Sequence, residues 1–419
     1  MEQRRKNLTQ LFIPICLETL LYMLSGMVDT LMLSSVNDQA VGAVGTANTY
    51  IGIFIIMFSV ISSGMVAVMT QNIGAGRPGV AYQARQLGLA FNAVLGIILS
   101  LILAFGAGTI LAGVGVADAL MQPARTYLQI VGGFCILNAL IPICSSYLRA
   151  FGFSKEPLYA SIIGNVINFC LNAFFLFVLH KGVAGVATAT VISRIINLVI
   201  VVMLGAVLVK AKQHPERESN REVMGQIIRI GLPSACETAI YNVSMTLVIR
   251  FLNQMDAQGL NVTARSYTMQ ITNFSYCVGA ALAQANAIMT GWRIGAKEYD
   301  ACDRGTRKAA IIGVIVAVIL ETMFALCSGW IMQLFSKDPQ MVSLVGKLLA
   351  IDIVLEMGRV TNLVYGQALK TSGDAVFPVV MGACFMILCS VGGTYLFGIR
   401  LGLLAVGAYI GMAGDECVR

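Results

Sequence analysis

Apolar residues recur along the chain in long stretches separated by short polar segments. An α-helix needs about 20 apolar residues to cross the ~30 Å hydrocarbon core of a bilayer, and most of these stretches are long enough. The last, 401–415, covers only ~22 Å at 1.5 Å per residue, so we expect a short or tilted helix there. The pattern predicts an all-α integral membrane protein with twelve transmembrane helices over residues 9–33, 43–70, 86–113, 124–147, 156–179, 183–209, 232–252, 264–289, 307–334, 340–368, 376–397 and 401–415.

Composition supports this assignment. The chain is 57% apolar and 12% charged, with a mean hydropathy of +0.80, whereas a soluble domain carries roughly 25% charged residues. The first apolar run follows Arg4, Arg5 and Lys6, but it contains Glu18 and lacks a small-residue cleavage site before Asp29. We therefore predict an uncleaved first span rather than a signal peptide. The eleven cysteines are scattered without paired spacing, which favours buried thiols over a disulfide framework.

Basic residues divide unevenly between the two sides of the predicted membrane. Of 28 Lys and Arg residues, nineteen fall on the side of both termini, including Lys370 and Arg419, and six, including Arg265, fall on the other. The positive-inside rule then predicts a multi-pass protein of the cell membrane with both termini cytoplasmic. This distribution explains the basic composition without a nucleic-acid partner. The remaining three bases fall inside predicted spans: Arg194, Arg250 and Arg359.

The two halves of the chain share a sequence pattern. Residues 14–22, PICLETLLY, align with residues 233–241, PSACETAIY, so that Glu18 matches Glu237. Residues 148–157, LRAFGFSKEP, align at a nearly equal offset with residues 369–378, LKTSGDAVFP. A common offset indicates an internal duplication. It predicts a six-helix lobe over 1–209, a cytoplasmic linker over 210–229 and a second six-helix lobe over 230–419, related by a pseudo-two-fold axis along the membrane normal.

Six acidic residues fall inside predicted spans, where each marks by default a site or a paired structural contact. Glu18 and Asp29 are eleven residues apart, which places them within ~20° of one helix face. We favour a functional role for Asp29 and leave Glu18 open between a site and an interfacial contact. We regard Glu321 as structural. The six are Glu18, Asp29, Glu237, Glu321, Asp352 and Glu356.

Asparagines form a stripe on the fifth predicted helix. Asn165, Asn168 and Asn172 follow i, i+3 and i+7 spacing and so share a face. Interhelical hydrogen bonding is the commoner role for such a stripe. Next to Asp29, the amide oxygens could equally coordinate a cation.

The second half carries the strongest candidate for ion coupling. Glu237 lies one turn beyond Pro233, with no base after it on its own helix until Arg250. On the tenth predicted helix, Asp352, Glu356 and Arg359 share a face. Two interpretations of this face are open, a self-neutralising ion pair and a proton-sensitive element.

The remaining sequence features concern substrate contacts by tyrosines and the possibility of enzyme activity. Tyr127 and Tyr241 are candidates for lining a substrate cavity through cation–π contacts, although ordinary packing is commoner. No phosphate-binding G-x-x-x-x-G-K-[ST] sequence and no zinc-binding H-E-x-x-H sequence is present, and the two histidines cannot form a metal cluster. We therefore predict no enzyme activity, no cofactor and no metal beyond a coupling sodium ion.

Several motifs together resemble the multidrug and toxic compound extrusion (MATE) family of secondary transporters. They extend from about residue 8 to residue 418 and are specific in combination rather than singly. They are P-x-x-x-E with MVDTLML over 14–33, VGAVGTAN over 41–48, QNIGAG over 71–76, LRAFGFSKEP over 148–157, GVAGVATATVISR over 182–194 and EMGRVTNLVYGQALKTSGDAVFP over 356–378.

The resemblance implies two six-helix lobes that export amphipathic, often cationic compounds in exchange for sodium ions or protons. It assigns Asp29, Asn168 and Glu237 to the family's cation sites. Asn172 stands where one branch of the family has an aspartate. Arg359 falls near the helix-10 acid of another branch, which leaves Glu356 as its substitute.

The sequence thus predicts a monomeric, cation-coupled antiporter that exports amphipathic small molecules by alternating access. The alternatives are a flippase for lipid-linked oligosaccharides of the same superfamily and, less favoured, a membrane-embedded enzyme. The predicted coupling residues are Glu237, Glu356, Asp29, Asn168 and Asn172, and the predicted substrate-lining residues are Tyr127, Tyr241, Arg359 and Asp352.

Overall fold

A computed structural model describes residues 6–34, 38–113, 116, 118–209, 216–255, 259–333, 335–336 and 338–419. Within these ranges the chain is helical, with no β-strand. It divides into two compact units, residues 1–232 and 233–419. The predicted boundaries at 209/210 and 229/230 differ from this division and remain a prediction, and part of the predicted linker, 210–215, lies outside the described residues.

Among the described residues, seven α-helices belong wholly to the first unit, and an eighth continues into the second at Pro233. A π-helical turn, Leu128–Gly132, lies between α4 and α5, and another, Phe174–Val178, follows α6. The helices are α1 Leu8–Ser34, α2 Asp38–Gly74, α3 Pro78–Gly113, α4 Asp118–Tyr127, α5 Ile136–Ala150, α6 Lys155–Ala173, α7 Gly182–Leu208 and α8 Asn220–Met255.

The second unit contains the end of α8 and six further helices. Two π-helical segments, Met386–Val391 and Thr394–Arg400, follow α13 and lead to the last helix. The helices are α9 Leu260–Gly295, α10 Tyr299–Leu326, α11 Ser328–Met332, α12 Pro339–Ser372, α13 Val376–Phe385 and α14 Leu404–Val418.

Among the described residues, seven helical segments are long and apolar enough to cross a membrane. An eighth candidate is the pair Leu120–Gly132 and Ile136–Ala150, which is bent by 42°. The predicted spans that meet α8, α9, α12 and α14 are outside this set, because α8, α9 and α12 carry many polar and charged side chains and α14 has only 15 residues. The chain is thus an all-helical, multi-pass protein whose second unit contains the more polar helices.

Each unit has an apolar core. In the first, residues of α2, α3, α4, α5 and α7 pack together, and Tyr127 is part of this cluster. In the second, residues of α8, α9, α12 and α14 do so. Close approach of α12 to α14 depends on Gly358, because a Cβ there would overlap the backbone carbonyl of Glu416. This contact holds the end of α14 against the charged face of α12.

Candidate functional site

The second unit encloses a cavity of about 500 Å³. Side chains of α8, α9, α12, α13 and α14 form its wall, together with Met386 and the terminal Arg419. Its charged lining residues are Glu237, Arg265, Asp352, Arg359, Lys370, Glu416 and Arg419. Tyrosines and methionines supply much of the remaining surface, including Tyr241, Tyr276, Tyr409, Met245, Met269 and Met412. A cavity of this size and lining suits a drug-sized amphipathic molecule.

Glu237 is held by two bases. Lys370 Nζ contacts its Oε2 atom and Arg419 Nη2 contacts its Oε1 atom, and the three side chains are only 12–15% exposed. Lys370 lies at the end of α12, where the chain enters the turn at Gly373. On helix α8 itself, no base follows Glu237 until Arg250. In the structure, both bases that pair with Glu237 come from distant parts of the chain.

The first unit contains the same arrangement at the duplicated positions. Arg149 Nη2 lies 2.6 Å from Glu18 Oε2, with side chains 10% and 17% exposed. Glu18 aligns with Glu237, and Arg149 aligns with Lys370. The two sequence repeats therefore meet in each unit as an equivalent Glu-to-base ion pair. The salt bridge gives Glu18 a structural contact, and the alternative of a functional role stays open, since Glu237 makes an equivalent pair.

A second ion network surrounds Arg359. Its Nη1 atom contacts Glu356 Oε1, and its Nε atom lies 3.4 Å from Glu416 Oε1. Asn362 Nδ2 donates to Glu416 Oε2 at 2.8 Å. Glu356 is fully buried, so its charge depends on this arginine. The predicted pair within α12 is present, and it extends to α14.

Asp352 and Arg265 also line the cavity and are buried, with 2% and 7% of their surfaces exposed. One carboxylate oxygen of Asp352, Oδ2, is buried without a hydrogen-bond partner. Glu321, the acid regarded as structural, is fully buried on α10 and does not line the cavity.

A separate polar cluster lies in the first unit. Asn172 Nδ2 donates to Asp29 Oδ1 at 2.6 Å and to Asn168 Oδ1 at 3.2 Å. Asn172 is fully buried, and its Oδ1 atom has no partner. Asn165 does not join this group, because its amide points to the Leu21 carbonyl at 3.4 Å. Three of the predicted coupling residues, Asp29, Asn168 and Asn172, therefore lie together.

The predicted site residues divide into these two groups. Glu237, Tyr241, Asp352 and Arg359 line the cavity of the second unit, with Glu356 behind Arg359. Tyr127 lies elsewhere, in the apolar core of the first unit, and its role in substrate contact stays a prediction.

Four charged residues that line the cavity of the second unit were not among the predicted site residues: Lys370, Arg419, Arg265 and Glu416. The base count by side placed Lys370, Arg419 and Arg265 at the ends of predicted spans or at the terminus, and the sequence analysis did not propose Glu416 as a site residue. For Lys370 a signal was available, since it occupies the repeat position equivalent to Arg149. Four bases therefore line the cavity, of which the sequence analysis proposed only Arg359.

Comparison with known proteins gives consistent matches over most of the chain. A family model described as MatE matches residues 14–174 and 233–396, whose starts are 219 residues apart. The chain is 33% identical over 412 residues to the uncharacterized transporter YisQ of Bacillus subtilis, covering 97% of this chain and 90% of that protein. It is 23% identical to NorM of Thermotoga maritima, a probable multidrug resistance protein, covering 99% and 90%. These relatives are transport proteins and not enzymes.

A solved structure has the same fold. It is a MOP superfamily transporter from Pyrococcus furiosus, described by a binding pocket of reverse polarity that suggests a different function. The TM-score is 0.88 with 18% sequence identity, over 98% of this chain and 92% of that one.

Proposed function

Because this chain belongs to the MatE family, we propose that it is a cation-coupled antiporter that exports amphipathic small molecules by alternating access. We further propose twelve transmembrane helices in two six-helix lobes, related by a pseudo-two-fold axis along the membrane normal. The offset of 219 residues between the two family matches supports the duplication. So do the equivalent ion pairs, Glu18 with Arg149 and Glu237 with Lys370.

The observation that carries the proposal is the cavity of the second unit. It combines carboxylates with tyrosine and methionine side chains in about 500 Å³. Aromatic faces and polarizable thioethers bind flat amphipathic molecules of varied shape, and cations in particular. The multidrug names of relatives such as NorM agree with a broad range of small-molecule substrates.

The cluster of the first unit is a suitable site for a coupling cation. At present the Asn172 amide donates to both Asp29 and Asn168, while its own oxygen has no partner. A half-turn of that amide would bring its oxygen beside the Asp29 carboxylate and the Asn168 oxygen. Three such oxygens could coordinate a sodium ion. Alternatively, a proton bound to the Asp29 carboxylate would be the coupling ion.

In the second unit, Glu237 and Glu356 are the proposed coupling carboxylates. Each is held by basic side chains, so binding of a proton or sodium ion would compete with those bases. Neutralising Glu237 would release Lys370 and Arg419 and change the charge presented to a substrate. This exchange links ion binding to the state of the cavity, as an antiporter requires.

We place the protein in the cell membrane as a monomer, with both termini cytoplasmic. The decisive experiment is efflux of an ethidium-like cation from proteoliposomes under separately imposed sodium and proton gradients. We expect one of the two gradients to drive export against a concentration difference. Absence of export under either gradient, with protein shown to be folded and inserted, would refute the antiporter proposal.

A second candidate is a flippase for lipid-linked oligosaccharides. Basic side chains in the cavity favour it, since a pyrophosphate needs cations, and four bases line the wall. Three of them, however, are already paired with carboxylates, so we rank this candidate second. Complementation of a strain deficient in lipid-linked sugar transport, without drug efflux, would reverse that order.

A further inference from the structure

Arg265 differs from the other bases of the cavity because no carboxylate pairs with it. Arg359 pairs with Glu356 and Glu416, while Lys370 and Arg419 share Glu237. Arg265 lies in the second turn of α9, and its Nη2 atom makes a weak contact with Met245 Sδ at 3.7 Å. Its Nε atom is buried without a partner, and no ion pair to it occurs within the described residues.

The burial of this guanidinium makes an anionic partner necessary. Arg265 is 7% exposed, and an uncompensated charge in such a place is costly. Asp352, a carboxylate of the cavity wall with no ion pair among the described residues, can become neutral by taking up a proton. An arginine cannot lose its charge in this way, because it stays protonated in proteins.

From this asymmetry we propose that the cavity binds an amphipathic organic monocarboxylate, with the carboxylate on the Arg265 guanidinium and the apolar body among Tyr409, Met269 and Met412. A guanidinium binds a carboxylate through two parallel hydrogen bonds. One uncompensated positive charge matches one negative charge. A phosphate dianion would bring a second negative charge into a wall that also contains Asp352 and Glu416.

This inference names a substrate class for the proposed exporter and rests on that proposed function, but binding can be measured without any gradient. The probes are N-dansylglycine, which carries a carboxylate, and its uncharged methyl ester. Both would be titrated by fluorescence against the full chain in phosphatidylcholine nanodiscs at pH 7 in a low-salt Bis-Tris buffer, which contains no organic carboxylate. The ratio of the two dissociation constants isolates the carboxylate, because the apolar body is shared.

For the unmodified protein we expect the acid to bind about tenfold more tightly than the ester or better, as a charged hydrogen-bonded pair allows. Arg265→Met should bring the ratio close to one and leave ester binding unchanged, which also shows that the variant is folded. Arg265→Lys should keep part of the preference, since a lysine has the charge without the planar fork. Arg250→Met is the matched control, because Arg250 is exposed on α8 and does not line the cavity.

Equal binding of acid and ester by the unmodified protein would overturn the inference. The inference would also be overturned if Arg265→Met still bound the acid more tightly than the ester by the same factor as the unmodified protein. If that variant fails to bind the ester, an undiminished ratio in Arg265→Lys would count against the inference and a reduced one would support it. Loss of the preference when chloride is added, or when phosphatidylglycerol is added, would identify an inorganic anion or a lipid headgroup as the occupant instead.

If the carboxylate preference depends on Arg265 but no gradient drives export, the inference stands and the antiporter proposal fails. The reverse result, export of cations with no carboxylate preference, rejects the inference alone.

Discussion

Replacing Glu237 by glutamine tests the ion-pair network of the second unit. The change keeps the size of the side chain and removes its charge. Glu237 contacts both Lys370 and Arg419, and the three side chains are only 12–15% exposed. The variant therefore leaves two largely buried bases without their shared carboxylate.

The size of the effect follows from that burial. Removing one partner of a buried ion pair costs about 3–5 kcal/mol, because the other charge remains desolvated. The residual exposure favours the lower end, about 3 kcal/mol. For a unit of this size, 3 kcal/mol corresponds to an apparent Tm lowered by roughly 6–12 °C. The double variant Glu237→Gln with Lys370→Met should recover part of the loss, because it removes one of the stranded charges.

The assay measures thermal unfolding of the purified protein in one detergent. Samples are heated to a series of temperatures, and the folded fraction that remains is measured by size-exclusion chromatography. Glu222→Gln is the control, because Glu222 is an exposed residue of the same helix. Glu18→Gln is the matched test in the first unit, where the described residues include one ion pair to Glu18, from Arg149. We expect a decrease for Glu18→Gln that is smaller than the decrease for Glu237→Gln.

Transport measurements separate stability from coupling. If Glu237 is a coupling carboxylate, Glu237→Gln protein that remains folded should bind a drug but no longer export it against a gradient, while Glu18→Gln retains export. An unchanged Tm in Glu237→Gln relative to Glu222→Gln would refute the argument from stranded charge. Normal gradient-driven efflux in Glu237→Gln would reject Glu237 as a coupling residue.

Two further substitutions test the other contacts. Asn172→Leu removes both amide hydrogen bonds of the first-unit cluster, so ion-driven efflux should fall at least about tenfold. Asn165→Leu, from the same asparagine stripe, should not lower it, and equal efflux in the two variants would contradict a cation site there. Gly358→Ala places a methyl group against the Glu416 backbone and should lower stability by about 1–3 kcal/mol in thermal unfolding. Gly366→Ala, on the same helix with open space around it, is its control, and an equally small effect of both changes would show that α12 and α14 can separate without cost.

The repeat in the sequence carried more information about the site than the composition did. Alignment of the two halves placed Glu18 with Glu237 and Arg149 with Lys370. The structure brings each glutamate to its base across more than 130 residues of chain. A duplicated segment keeps its contacts when it keeps its fold, so equivalent positions should make equivalent pairs. Taken together, the aligned acids and the aligned bases are sufficient to indicate both ion pairs.

Assignment of bases by loop did not identify the bases that line the cavity, for a physical reason. The positive-inside rule sums charges over connecting segments and does not say which way one side chain points. Lys370 and Arg265 lie near helix ends, where a long side chain can reach either water or the interior. Both line the cavity.

Hydropathy and repeated motifs were sufficient to predict a multi-pass helical protein of the MATE family, because apolar length and local spacing are properties of contiguous residues. The groups that meet at the candidate site were decided by tertiary structure. Glu237 obtains its partners from 133 and 182 residues away, whereas Arg265, in the wall of the same cavity, has no ion-pair partner among the described residues. The energy of an intramembrane charge depends on the distance to another charge and on the exclusion of water from both. Neither quantity is encoded in a single segment of sequence, and both are fixed only when the helices pack.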